Sequence, residues 1–195
     1  MFFDIRKAVV LKYEKAGEIM YLLSLYFDKN DTNKLLNYMQ LIEQETKNSY
    51  MSDHHIPLHL TLATIHDIDI TQLYSELDKI ISQINTGTLQ LAAIGSFGWH
   101  TLYVMPVLDQ YLFDLSLQLN QIIDETDHRR CHNRYRPFSW IPHITLARKL
   151  NVQQLTSAFA LLASNFEPME IKATRIALSR SHPYQDIAIW SLKEQ

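Results

Sequence analysis

Two short stretches of this sequence pair the side chains that proton-transfer chemistry needs. Residues 59–63 read His-Leu-Thr-Leu-Ala and residues 143–147 read His-Ile-Thr-Leu-Ala, with Pro57 two positions before the first histidine and Pro142 one position before the second. With 9 histidines and 12 threonines in 195 residues, roughly half an H-x-T triplet is expected by chance, so one copy alone carries no weight. A five-residue match occurring twice is a different matter. Imidazole titrates near neutrality, so one neutral ring can accept a proton from an attacking oxygen while a charged one donates to a leaving oxygen, without a metal. Threonine hydroxyls can donate to the non-bridging oxygens of a phosphodiester.

Strand geometry gives the spacing its meaning. Side chains two apart share a face, which puts His59 with Thr61 and His143 with Thr145, while Leu58, Leu60, Leu62, Ile144 and Leu146 point the other way into a core. If a pseudo-twofold axis sets the two strands side by side, two imidazoles and two hydroxyls converge on one cleft. Arg148 follows the second motif, although strict alternation assigns it to the Leu146 face unless the strand ends at Ala147. Phe97, Trp99 and Tyr103 could stack on a base, with Trp99, at a turn, the best placed. From His128 to Lys149 there are Arg129, Arg130, Arg134, Arg136, Arg148 and Lys149 with no acid among them, six of the 18 basic residues of a chain of net charge -3. An acidic body with one basic strip suggests a local anion site, and the loop Arg129–Arg136 could steer a polyanion or be solvated surface.

Metal ligation has little support. Asp53, His54 and His55 precede the first motif, but Pro57 breaks any helix that would align a histidine pair with His59, there is no HExxH, and the single cysteine, Cys131, excludes a thiolate zinc site. A surface cluster is the better reading there, and no cofactor is expected.

Periodicity supplies the elements that must position these groups. A helix is expected over Phe3–Lys15, ending near Gly17, then a buried strand Met20–Phe27 and a polar turn. Asp31 or Thr32 should cap a helix carrying Leu35, Leu36, Met39 and Ile42. Pro57 opens a strand, Leu58–Ile65, and a helix from Asp69 or Thr71 carries Leu73, Leu77, Ile80, Ile81 and Ile84, closed by Gly87. Leu89–Phe97 and Thr101–Val107 read as a hairpin about Gly98, Trp99 and His100. Asp109–Asp124 is helical, Asp127–Ser139 a loop, and Pro142 opens a strand to Ala147. Asn151 caps a helix through Leu155, Phe159 and Leu162, and Met169–Ser179 with Asp186–Leu192 makes a last hairpin. After the first helix the order β-α-β-α-β-β-α-β-α-β-β predicts an α+β fold with antiparallel sheet and helices on its outer faces.

The chain is long enough for one domain, or two small lobes sharing a core. Its 47% hydrophobic and 20% charged content excludes wholesale disorder and fibrous folds. The longest apolar run, Met20–Phe27, is far short of the roughly 20 residues a bilayer requires, the N-terminus lacks the pattern of a secretory signal, and a lone thiol suits a reducing compartment. A cytoplasmic protein is expected.

These paired motifs, the second reading Pro-His-Ile-Thr-Leu-Ala-Arg, resemble those of the two-histidine phosphoesterase superfamily, specifically its 2'-5' RNA ligase and cyclic nucleotide phosphodiesterase branch. The resemblance spans about Tyr21 to Leu192. It implies one bilobal, pseudo-twofold domain with antiparallel sheets around a central cleft, residues 1–17 being an extension without a counterpart. It also implies metal-independent cleavage of 2',3'-cyclic phosphates or 2'-5' linkages on RNA ends or small nucleotides, with no membrane or obligate protein partner. On that pattern His59 and His143 are catalytic, with His143 the base and His59 the acid unless the reaction direction exchanges them. Thr61 and Thr145 bind phosphate, and Arg148 and Tyr184, in the last hairpin loop, are further substrate contacts; Trp99, as the stacking candidate, and Arg136, of the basic loop, are added from their own chemistry and not from the resemblance. The alternatives are a module that holds RNA ends or nucleotides without turnover, and ligation in the reverse direction by the same groups.

Overall fold

The computed structural model describes residues 20–66, 70–126 and 133–194, with only the backbone of Ile70, Gln72, Thr126 and Asn133. The expected helix Phe3–Lys15 with its Gly17 stop, and Arg129, Arg130 and Cys131 of the basic loop, lie outside the described residues. The elements run β1 (Met20–Phe27), α1 (Lys29–Thr46), a single-turn α2 (Tyr50–Asp53), β2 (Leu60–His66), α3 (Ile70–Ile81), β3 (Gly87–Phe97) and β4 (Thr101–Pro106). After these come α4 (Gln110–Thr126), a 3-10 turn (Asn133–Tyr135), β5 (Ile144–Arg148), α5 (Val152–Asn165), β6 (Met169–Ser181) and β7 (Tyr184–Ser191). Apart from α2 this is the order read from periodicity. No helix among the described residues is long and apolar enough to cross a membrane.

The seven strands of the described residues belong to one antiparallel sheet of order β1-β2-β5-β4-β3-β6-β7, and an additional β1–β6 pairing closes the first six into a ring. The ring is two copies of a β-α-β-α-β unit. β1, β2 and β3 with α1 and α3 correspond to β4, β5 and β6 with α4 and α5. Like strands meet at the two joints, β2 against β5 through Leu60–Ile144, and β3 against β6 through Gly87–Leu91 and Met169–Ala173. β1 lies along β6 as β4 lies along β3. β7 is the one strand without a counterpart, paired with β6 from Tyr184 to Ser191.

The face of the ring away from the motif histidines is where the helices dock. Leu23, Leu25, Phe27, Leu60, Leu62, Ala63 and Ile65 form a buried cluster with Leu35 and Ile42 of α1, Leu73, Leu77 and Ile81 of α3, and Leu112, Leu115, Leu119 and Ile122 of α4. Fully burying such a side chain contributes about 1.5–3 kcal/mol, which is why these spacings are readable in the sequence. α5 buries Leu155, Ala158 and Leu162, but Phe159 is 39% exposed and lies outside the core. Asn151 caps α5 as expected, in a reciprocal box with Gln154.

Several boundaries differ from expectation. Asp28, not Asp31 or Thr32, caps α1, its Oδ1 accepting from the Asp31 amide at 2.8 Å. Thr32 is already inside the helix and donates back to the Asp28 carbonyl. α3 ends at Ile81, so Gly87 does not close it but begins β3, where its bare Cα faces the Tyr111 ring and a Cβ would approach that ring to 2.4 Å. β2 begins at Leu60 rather than Leu58 and β5 at Ile144 rather than Pro142, the latter having no amide to donate to a ladder. β5 runs one residue past Ala147, and β7 takes in Tyr184, which is therefore a strand residue and not a loop residue.

Asp31 has another task. Its side chain is buried, accepting from the Lys172 amide of β6 at 2.7 Å and from Lys34 Nζ at 2.7 Å, so it ties α1 to the sheet. Asp31→Ala leaves the Lys172 amide without its partner, and equilibrium urea unfolding should show a loss of about 1–3 kcal/mol.

Candidate active site

The Leu-Ala of each motif turns out to be a structural device. Along β1 and β2, Ser24 pairs with Thr61 but Leu23 pairs with Ala63, so Leu62 is one residue in excess. Along β4 and β5, Tyr103 pairs with Thr145 but Leu102 pairs with Ala147, so Leu146 is in excess. Both are β-bulges, at equivalent positions in the two units. Each lets two successive apolar residues, Leu62 and Ala63 or Leu146 and Ala147, face the core. The next residue then returns to the motif face. Arg148 is therefore on the same face as His143 and Thr145, resolving the conflict with strict alternation, and Thr64 is its counterpart beside His59 and Thr61.

The contact between the units falls on the motifs themselves. Leu60 pairs with Ile144, the middle residues of the two H-x-T triplets. Continuing this antiparallel register by one residue sets His59 against Thr145 and Thr61 against His143, all on one face. The two imidazoles are near enough that positive charge on His143 disfavours positive charge on His59.

Each histidine is locked by the backbone just before it. His59 Nδ1 lies 2.7 Å from the Pro57 carbonyl oxygen, and His143 Nδ1 lies 2.8 Å from that of Ile141. A carbonyl only accepts, so each Nδ1 carries the proton and donates, leaving Nε2 to gain or lose a proton at the site. The prolines serve this geometry differently: Pro57 supplies the accepting carbonyl, whereas Pro142 lies between Ile141 and His143. Both rings are half-buried, and desolvation is the main reason that both are held below the usual histidine pKa. His59 is also pressed downward by His143 and Arg148 and drawn upward by the Pro57 carbonyl and by Asp186.

The walls differ between the two halves. The His143 ring meets Phe97 edge-on at 4.8 Å between centroids and Tyr103 at 5.3 Å, and Phe97 and Tyr103 touch at 4.4 Å. Tyr103 can lie across β3 because its partner there is Gly95, where a Cβ would sit 2.6 Å from the ring. His59 instead faces Tyr184, centroids 5.6 Å apart. Tyr184 Oη lies 2.8 Å from Tyr26 Oη, and Tyr26 and Ser179 both donate to Asp186 Oδ1 at 2.7 Å.

Of the remaining sequence candidates, Trp99 is 54% exposed at the tip of the β3–β4 turn and Phe97 is 39% exposed, while Tyr103 is buried against His143. Arg136 is paired with Asp124 of α4. His54 stacks on Tyr50, and His54 and His55 are exposed. Among the described residues no group of three or more His, Cys, Asp or Glu could hold a metal. Sequence reasoning missed Thr64, Ser24, Tyr26, Ser179 and Asp186. Thr64 alone had a signal, since it follows the first His-x-Thr-Leu-Ala as Arg148 follows the second. Tyr26 and Asp186 are 160 residues apart, and nothing local announces their meeting.

Known proteins agree with this architecture. The solved structures that resemble it include E. coli LigT complexed with 3'-AMP, at 16% identity and TM-score 0.60, covering 90% of this chain and 99% of that one. A phosphoesterase has 16% identity and TM-score 0.62 at the same coverage, and TT0787 of Thermus thermophilus has 15% and 0.60, again at 90% and 99%. At such identities the likeness is one of fold. No curated protein sequence matches the chain. The sequence model of the 2'-5' RNA ligase superfamily matches residues 36–185, a span that holds both histidine motifs, both bulges and Tyr184, and the chain therefore belongs to that superfamily as a phosphoesterase of the two-histidine type.

Proposed function

We propose that this chain hydrolyses 2',3'-cyclic phosphate ends of RNA or of nucleotides, or 2'-5' phosphodiester linkages, by two-histidine acid–base catalysis without metal. The observation that carries this reading is the pair of imidazoles on adjacent strands at a pseudo-twofold joint, each locked through Nδ1 so that Nε2 is the titrating atom. Two locked imidazoles are proton-transfer groups, which binding without turnover would not require. In hydrolysis one Nε2 takes the proton of water as its oxygen bonds to phosphorus. The other gives a proton to the ribose oxygen as the P–O bond breaks, yielding a monoester. Thr61 and Thr145 hydroxyls donate to the non-bridging oxygens, and Arg148, brought onto this face by its bulge, adds positive charge near the developing dianion. His59 is the acid and His143 the base, as the resemblance to the two-histidine phosphoesterases implies; the Asp186 carboxylate favours the cationic form of His59 against the lowering by burial, His143 and Arg148. Ligation is the same path run backwards with the roles exchanged. That E. coli LigT is seen with 3'-AMP, ATP, NADP+ and phosphate supports a nucleotide or RNA-end ligand. Tyr184 and Trp99 offer aromatic faces to a base and Arg136 lies at the basic end. The cytoplasm, where RNA ends arise, is the compartment that fits.

Replacing His59 or His143 with Ala should cost roughly 10²- to 10⁴-fold in turnover of cyclic and 2'-5' substrates. Thr61→Ala or Thr145→Ala should cost about tenfold, one neutral hydrogen bond. Near-normal rates in both histidine variants would exclude them as the catalytic pair. Because burial lowers both histidines, kcat/KM should rise as the base deprotonates and fall as the acid deprotonates at pH values below those of free imidazole. The bell should therefore peak on the acid side of about pH 6.5. A maximum above neutrality would contradict the assignment. Chelator should leave turnover intact, whereas loss restored only by a divalent ion would move the reaction to metal chemistry. Gly95→Ala, by driving the Tyr103 ring toward His143, should lower kcat while thermal unfolding shows the fold retained.

A further inference from the structure

β7, the strand that breaks the pseudo-symmetry, brings two residues to the His59 side of the cleft. Tyr184 supplies a ring against the imidazole, and Asp186, two residues on, supplies a carboxylate. Around that carboxylate the hydrogen bonds can be counted proton by proton. Tyr26 of β1 and Ser179 of β6 each donate their one hydroxyl proton to Oδ1, at 2.7 Å in both cases. Both oxygens are then left as acceptors, and Tyr184 Oη lies 2.8 Å from that of Tyr26 and 3.2 Å from that of Ser179. The remaining proton, on Tyr184, is thus the one available to the Tyr26 and Ser179 oxygens. Ser179 is fully buried and Tyr26 nearly so, which makes these hydroxyls costly to leave unpaired.

We propose that Asp186 is a positioning residue for His59: it organises the Tyr26 and Ser179 hydroxyls into an anchor that holds the Tyr184 ring against the imidazole, and it is the negative charge on that flank of the site. The proposal rests on the acid role given to His59 above. The groups that act on or touch His59 are His143, just before β5, Arg148 of β5, Tyr184 and Asp186 of β7, and the Pro57 carbonyl. Two of these are cationic or can become so, and Asp186 is the one carboxylate among them. With Oδ1 occupied by two hydroxyls and a charge that repels a phosphate, Asp186 serves the imidazole and not the substrate. Because Asp186 is itself exposed, its charge is screened and its effect is greatest at low salt.

The test is a histidine NMR titration of the wild-type protein and two variants, which needs no turnover. Asp186→Asn keeps the shape and the hydrogen-bond acceptor but removes the charge. His59 should then titrate about half a pH unit lower at low ionic strength, with His143 unmoved and the His59–Tyr184 ring contact retained. Asp186→Ala removes the anchor as well, and the ring contact should weaken or vanish, with kcat falling several-fold and KM changing less. His59 midpoints unchanged in Asp186→Asn would overturn the charge role, and an unchanged ring contact in Asp186→Ala would overturn the anchor. If the alanine variant does not fold, Tyr184→Phe, which releases the ring by one oxygen, takes its place under the same criterion. Wild-type protein that cleaves no cyclic or 2'-5' substrate would instead overturn the reaction assigned above, leaving the titration result to stand separately.

Discussion

Everything in this site hangs on one backbone pairing. Leu60 meets Ile144 where the two halves of the ring touch, and these are the middle residues of the two H-x-T triplets. Because they are equivalent residues in an antiparallel pair, the pseudo-twofold axis passes between them, and the flanking histidines and threonines are brought to one face by the backbone register. The period of a strand is two, so a slip of one residue in this register would turn one triplet into the core. What prevents the slip is the apolar row behind it: Leu60, Leu62, Ile144 and Leu146 are all buried, and reversing either strand would exchange them for imidazole and hydroxyl.

The bulges extend the same logic. A strand obeying alternation can present two polar groups of the motif but not a third residue immediately after Leu-Ala. Inserting one unpaired residue in each strand buries both apolar side chains and returns the chain to the cleft with Thr64 in one half and Arg148 in the other. Symmetry of backbone is thereby combined with asymmetry of charge. Ser24 Oγ and Thr64 Oγ1 are buried on this face without a hydrogen-bond partner among the described residues, whereas the equivalent places in the other half hold Tyr103 and Arg148. A phosphodiester has an attacking and a leaving side, and a cleft built from two copies of one unit needs such differences to bind it in one direction.

β7 supplies the strongest of these differences. Its pairing with β6 places Tyr184 over His59, while in the other half the hairpin β3–β4 places Phe97 and Tyr103 around His143. Both imidazoles are packed by aromatic rings and desolvated, and among the described residues a carboxylate, that of Asp186, acts on His59 and none on His143. Two histidines in motifs that differ at one position of five are given different neighbours, the kind of difference by which one residue type can serve as both acid and base.

The sequence by itself determined the repeat, the residues with titratable and hydrogen-bonding groups, and the order of strands and helices. Those are local properties: spacing of Leu35 and Ile42, or of Leu73 and Leu77, reports a buried helical face directly, and two matching pentapeptides report two matching backbones. Boundaries such as the Asp28 cap and the start of β3 at Gly87 were harder, because a cap is chosen by geometry among several competent residues and a glycine can end one element or begin the next. Only the tertiary structure decided that Arg148 faces the cleft, since a bulge is defined by what lies on the partner strand. It alone brought Tyr26 to the hairpin residues Ser179, Tyr184 and Asp186, because hydrogen bonds over about 160 residues of separation arise from closure of the ring and leave no period or motif along the chain.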